Sequence, residues 1–223
     1  MQSLRSRLEE RIQKKHLLSH PWYIRWQQGR LSRRELQGYA KEYFAFEREF
    51  PRFLSAIHSR CTDPNARRRL LENLMDEEAG EENHSELWLQ FAEGLGLSRD
   101  EIFGHFHSDE TEQLVRTFRK HCHSENIADG LAALYVFRRQ LSEVARQKMN
   151  RWNWSEMTDD SAIRFFDVTK EAEDLAADTE ISLLTSMCGD EEADERVVTI
   201  AEETLDALHE FLNGVERRYA CLN

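Results

Sequence analysis

Residues 70–91 read LLENLMDEEAGEENHSELWLQF. An α-helix turns once per 3.6 residues, so steps of three and four trace one face. From Leu70 those steps give Leu70, Leu74, Glu77, Glu81, His84, Trp88 and Phe91. The stretch has helical rather than alternating period. A helix carried through Gly80 puts two acids and a histidine on an apolar stripe, where solvated charges do not belong. Glu78 and Glu82 fall to the side, as solvated residues should. Carboxylate and imidazole inside a helix bundle is the ligand mix of iron and manganese sites, which need donors from more than one helix.

Outward from this stretch the same period persists. Ser32-x-x-Glu35 and Ser98-x-x-Glu101 are capping boxes, and Asp63-Pro64 pairs an N-cap with proline at the first helical position. Stops are expected near Gly29, Pro51, Gly94-x-Gly96 and Gly189. The chain reads as seven or eight helices over segments near 2–18, 20–28, 32–50, 52–61, 64–93, 109–123, 127–151, 160–187 and 191–219, some of them adjoining. The expected class is all-α.

Other inward stripes also carry polar groups. From Ile127 the steps give Leu131, Leu134, Arg138, Leu141, Ala145 and Lys148, two cations on an apolar face. Buried lysine and arginine need partners. The segment from 160 reads Ala162, Phe165, Thr169, Ala172 or Glu173, Ala176, Leu183 and Met187; that from 32 reads Leu36, Tyr39 or Ala40, Tyr43, Glu47 and Phe50. Polar groups gathered on inward stripes predict an interior cavity.

Composition bounds the rest. In 223 residues, 42 acidic side chains against 30 basic ones leave a formal charge of −12, which argues against nucleic acid because phosphate contacts need a basic face. Arg33-Arg34 and Arg67-Arg68-Arg69 read as solvated helix faces. Cys61, Cys122, Cys188 and Cys221 form no C-x-x-C pair and suit reduced thiols in a cytosolic protein. The N-terminus is too charged for a signal peptide, and LAALYVF is too short to cross a bilayer. The expected location is cytoplasmic, without membrane attachment. No Gly-rich phosphate loop, G-x-S-x-G elbow or H-E-x-x-H occurs. Glu81-x-x-His84 matches half of a ferritin-like ligand motif, but no second Glu-x-x-His exists. The histidines of HFHSDE and HCHSE, within 105–125, lie in loop-like sequence and are a weaker metal candidate.

The blocks HPWYIRWQQGRLSRRELQGYAKEYF, FLSAIHSRC, LLENLMDEEAGEENHSELW and GLAALYVFRRQLSEVARQK resemble CADD-like proteins, relatives of the PqqC and TenA proteins, over roughly residues 8 to 190. The resemblance implies one haem-oxygenase-like helical domain spanning 1–223, a homodimer, and a cytoplasmic role tied to folate. CADD-type proteins make 4-aminobenzoate by an oxygen-dependent reaction that consumes one of their own tyrosines, with a dinuclear iron or iron–manganese site. By position, the sacrificed tyrosine falls on Tyr23, the essential lysine on Lys148, and the first glutamate and histidine ligands on Glu77 and His84. The next glutamate ligand falls on Arg138. The remaining histidine, aspartate and histidine fall on Thr169, Glu173 and Ala176. Half of the implied site is therefore present and half is replaced, with Glu81 and Glu173 as further carboxylates.

Two arrangements remain open. In the favoured one Arg138 neutralises Glu77, Glu81, Glu47 and Glu173 without metal. In the other, Glu77, His84, Glu173 and Asp174 or Asp178 hold one weakly bound metal, with Mn or Mg favoured over Fe. Iron or manganese is thus implied by the resemblance alone. Three functions follow: a 4-aminobenzoate synthase with Tyr23 as substrate residue and Lys148 as amino donor or positioning group; a cofactor-free PqqC-like enzyme or small aromatic-acid binder using Arg138, Lys148 and Tyr39; or a non-catalytic module for an unspecified protein partner.

Overall fold

Most helices begin where a side chain can receive their orphaned N–H groups. Ser3 caps α1 (Leu4–Lys14), His20 precedes Pro21 at the start of α2 (Pro21–Gln27), and Ser32 with Glu35 forms the box of α3 (Arg33–Arg60). Asp63 caps α4 (Pro64–Glu78), Asn83 caps α5 (His84–Gly94), and Ser98 with Glu101 opens α6 (Arg99–Phe103). Ser108 caps α7 (Asp109–Cys122); α8 (Ile127–Asn150), α9 (Arg164–Met187) and α10 (Glu191–Tyr219) follow. A 3-10 turn at Leu17–Ser19 joins α1 to α2. The computed structural model describes residues 2–150 and 164–220, and no strand occurs among them. The all-α expectation holds, with ten α-helices among the described residues rather than seven or eight. The helix start expected at 160 with Ala162, the side chain of Ala172, and Cys221 lie outside the described residues.

α3 is the inner helix and packs against α4, α5, α7, α8 and α10, while α8 and α9 pair antiparallel along their length. Pro51 does not end a helix as expected: α3 runs through it. A helix-interior proline costs roughly 3 kcal/mol. Phe46, Phe50, Phe53 and Leu54 are buried on either side of it, each contributing roughly 1.5–3 kcal/mol by burial. Packing therefore wins over the missing N–H.

The stretch at 70–91 also differs from expectation. Gly80 adopts φ 85°, a left-handed conformation that ends the helix, and the Asn83 side chain accepts from the Glu86 N–H at 2.9 Å to start the next one. One expected helix is two. Glu77 closes the last turn of α4 and His84 opens α5, both against α3.

Candidate active site

A narrow cavity lies between α2, α3, α4, α5, α8, α9 and α10. It holds about 30 Å³ of open internal space, room for roughly two water molecules at about 10–15 Å³ each. Tyr23, Tyr39, Tyr43, Trp88, Phe166 and Lys148 line one side, and Glu47, Glu77, His84 and Glu173 the other.

The aromatic side is built around one amine. Lys148 is 5% exposed, and its Nζ lies 5.2 Å from the Tyr23 ring centroid, 4.7 Å from Trp26 and 5.0 Å from Tyr39. It donates to the Tyr39 hydroxyl at 3.2 Å, and that hydroxyl bonds the Tyr23 hydroxyl at 3.1 Å. Ring faces attract a cation but do not replace its lost water. Burial accordingly pushes the Lys148 amine down to about 7, against the pull of Glu47. Burial also pushes the Tyr23 phenol up to about 12, and that of Tyr39 well above its usual value. At neutral pH both phenols keep their protons and a large share of the amine is uncharged.

The acid side carries four buried carboxylates from three helices: Glu47 on α3, Glu77 on α4, and Glu173 and Glu180 on α9. Arg138, 2% exposed on α8, reaches all but the first. It donates to Glu77 Oε1, and its Nε lies 3.3 Å from Glu173 and 3.7 Å from Glu180. The guanidinium also sits 4.9 Å above the Phe50 ring. The other Glu77 oxygen is 2.6 Å from His84 Nδ1. Against burial, His84 and Arg138 hold Glu77 lowered. Against burial too, Glu77 raises His84 to about 9. Burial and the nearby Glu77 lift Glu47 to about 8; burial lifts Glu180 to about 8 and, with Glu77 working against Arg138, Glu173 to about 7.

The structure brings Tyr23, Tyr39, Lys148, Glu77, His84 and Glu173 to one cavity; all but Tyr23 lie on the inward stripes, and Tyr23 was named by the resemblance. Glu81 is a correction: the break at Gly80 turns it into solvent, away from Glu77. Asp174 and Asp178 also point outward, paired with Ser142 and Arg146 and with Arg5. Arg138 is committed to carboxylates and is not among the cavity-lining residues, which removes the support for a role in holding a substrate carboxylate. Glu180 joins the site without a motif to mark it, although it lies four residues beyond Ala176 on the same inward stripe.

The dinuclear centre implied by the resemblance does not fit these residues. Arg138 stands at one ligand position, the Thr169 hydroxyl donates to the Phe165 carbonyl at 2.7 Å, and Ala176 has no donor. One candidate ligand group is complete: Glu47, Glu77 and His84 offer atoms within 4.8 Å of one another. The 105–125 candidate also gathers, as Glu42, His105 and His107. Its carboxylate is already bonded by Arg218 at 2.7 Å, Thr111 at 2.6 Å and the Ser108 N–H at 3.1 Å, so it acts as an anchor tying α3 to α7 and α10. Burial opposes ionisation of Glu42, yet His105 and the other donors hold its carboxyl down to about 2.

An all-helical bundle that gathers tyrosines, a lysine and a carboxylate–imidazole group around a narrow central cavity belongs to the haem-oxygenase-like class. A Shewanella denitrificans domain with a heme oxygenase-like fold superposes with a TM-score of 0.76 at 15% identity, covering 97% of this chain and 90% of that one. A TenA homolog from Pseudomonas syringae pv. tomato gives 0.85 at 13% identity, covering 96% and 93%. The TENA/THI-4/PQQC family model matches residues 5–218, and the chain belongs to that family. It is 39% identical over 207 residues to the 4-aminobenzoate synthase of Chlamydia pneumoniae, covering 93% of this chain and 92% of the relative. No helix among the described residues is long and apolar enough to cross a membrane.

Proposed function

We propose that the chain is a self-consuming 4-aminobenzoate synthase, in which the ring of Tyr23 becomes the product's ring and Lys148 supplies or positions the amino group, with oxygen consumed. The observation that carries this reading is the hydrogen-bonded chain Lys148–Tyr39–Tyr23 on the wall of a cavity of about 30 Å³. An aromatic ring already forms the wall, and the space beside it suits small molecules of the size of water or dioxygen. The cavity has no room for a second aromatic acid, and Arg138 is engaged by Glu77; these two facts favour this reading over a cofactor-free aromatic-acid binder.

Within it the chain's own residues have separable tasks. Tyr39 holds the Tyr23 phenol and the Lys148 amine on one hydroxyl, fixing their relative position. The rings around Lys148 exclude water, which keeps part of the amine unprotonated and able to form a bond. The resemblance implies iron or manganese as the source of oxygen chemistry; Glu47, Glu77 and His84 form a candidate group that could hold an ion. We assign a homodimer on the resemblance, to be checked by sedimentation.

Protein expressed with ring-labelled tyrosine and exposed to oxygen and reductant should release ring-labelled 4-aminobenzoate in no more than one equivalent. The intact mass should change at Tyr23, and Tyr23→Phe should release none. Unlabelled product, several turnovers per chain, or release from Tyr23→Phe would exclude the proposal.

A further inference from the structure

We infer that the acid side of the cavity takes one divalent cation, on Glu47, Glu77 and His84, and that the Arg138 guanidinium is the permanent occupant of the place a second ion would need. The inference rests on the reading of this cavity as the reaction site.

Charge comes first. Four buried carboxylates converge on the acid side, and the nearby cations are divided unevenly among them. Arg138 serves Glu77, Glu173 and Glu180. Among the described residues, no arginine or lysine lies within ion-pair distance of Glu47, which is 5% exposed. A carboxyl buried this deeply ionises readily only with a cation beside it. A divalent ion beside Glu47 supplies the missing partner where Arg138 does not reach.

Geometry agrees. His84 Nδ1 lies 2.6 Å from the Glu77 oxygen that Arg138 leaves free. Two atoms each about 2.1 Å from one ion, at right angles, lie about 3 Å apart. A slight opening of this pair toward Glu47 therefore gives three converging donors. The second ring nitrogen of His84 is buried without a hydrogen-bond partner, so the ring is free to turn either nitrogen to an ion. Two carboxylates and one imidazole, with no sulfur, suit Mn(II) or Fe(II) rather than a soft metal.

The remaining half cannot take an ion while Arg138 is present. Its guanidinium occupies the space between Glu77 and the two α9 carboxylates, and an ion there would face a fixed positive charge across a shared ligand. The chemistry near Tyr23 would then run with one ion and a guanidinium rather than two ions.

The test is a count. Full-length protein stripped with a chelator is titrated with Mn(II), with free Mn(II) followed by its paramagnetic resonance and the bound ion measured by elemental analysis. One Mn(II) per chain is expected. Glu47→Gln and His84→Ala should each weaken binding at least tenfold while far-ultraviolet dichroism shows the helices intact. His107→Ala, in the anchor beside Glu42, should leave the count unchanged. Arg138→Gln should admit a second equivalent; should that variant fail to fold, the Glu47→Gln arm decides alone. Two ions in the parent, none, unchanged affinity in Glu47→Gln, or loss in His107→Ala would overturn the inference. Loss of Tyr23 mass with two bound ions would leave the proposed function standing and this inference fallen. One bound ion with Tyr23 intact after oxygen exposure would do the reverse.

Discussion

The two sides of the cavity are equally buried, and burial has opposite consequences in them. On the aromatic side Lys148 meets ring faces and two neutral phenols, and it is held down to about 7. On the acid side His84 is just as enclosed, yet Glu77 at 2.6 Å raises it to about 9. Loss of water disfavours charge in both places; only a neighbour of opposite sign restores it. One side is thus arranged for an uncharged nucleophile beside a phenol, and the other for fixed charges that balance one another.

The largest effect should come from reversing the charge of the acid side. In chelator, Arg138→Glu removes the guanidinium and adds a fifth buried carboxylate. It should destabilise by more than the roughly 3–5 kcal/mol expected for removing one partner of a buried pair. Urea melts comparing it with Arg138→Ala would decide; equal midpoints would mean the carboxylates are shielded by something other than Arg138.

Next is the amine. Lys148→Met keeps the length and removes the buried nitrogen. It should abolish product release and raise stability, since the folded state disfavours the ammonium. The sign of the pH dependence follows: between about 7 and the ordinary lysine value of 10.5 the unfolded chain binds the proton and the folded chain does not, so this group makes stability rise with pH across that window. Product release should rise through pH 7 as the amine loses its proton. A flat rate between pH 6 and 8 would remove Lys148 from the reaction. The smallest stability effect belongs to Tyr39→Phe, which deletes the hydroxyl joining the other two. A typical buried hydrogen bond is worth about 0.5–1.5 kcal/mol, while yield at Tyr23 should fall well below that of the parent. Unchanged yield would make Tyr39 a packing residue alone.

Much of this contrast was legible in the sequence because helical period turns Tyr39, Arg138, Lys148, Glu77 and Glu173 inward, while Tyr23 was singled out by the resemblance alone. The boundaries were less so. Gly80 could be passed as tolerated within a helix, but its positive φ and the Asn83 cap divide the stretch, sending Glu81 outward while leaving Glu77 and His84 together. Pro51 looked like a stop because local rules cannot weigh the burial of Phe46, Phe50 and Phe53 around it. Glu180 was passed over between Ala176 and Leu183, since a lone acid on an apolar stripe declares itself only when its cation, Arg138, is seen opposite. Likewise the saturation of Glu42 by donors from α7 and α10 depends on contacts far apart in the chain.

The central claim, that a guanidinium balances this buried acid where an ion would otherwise be needed, is tested most directly by melting Arg138→Ala beside the parent, each in chelator and in excess Mn(II). In chelator the variant should lose roughly 3–5 kcal/mol. At about 2–4 °C per kcal/mol, that lowers its midpoint by roughly 6–20 °C. Mn(II) should recover part of that loss and shift the variant more than the parent, because an ion can then enter among Glu77, Glu173 and Glu180. A variant that melts with the parent in chelator, or gains no more than the parent from Mn(II), would contradict the claim.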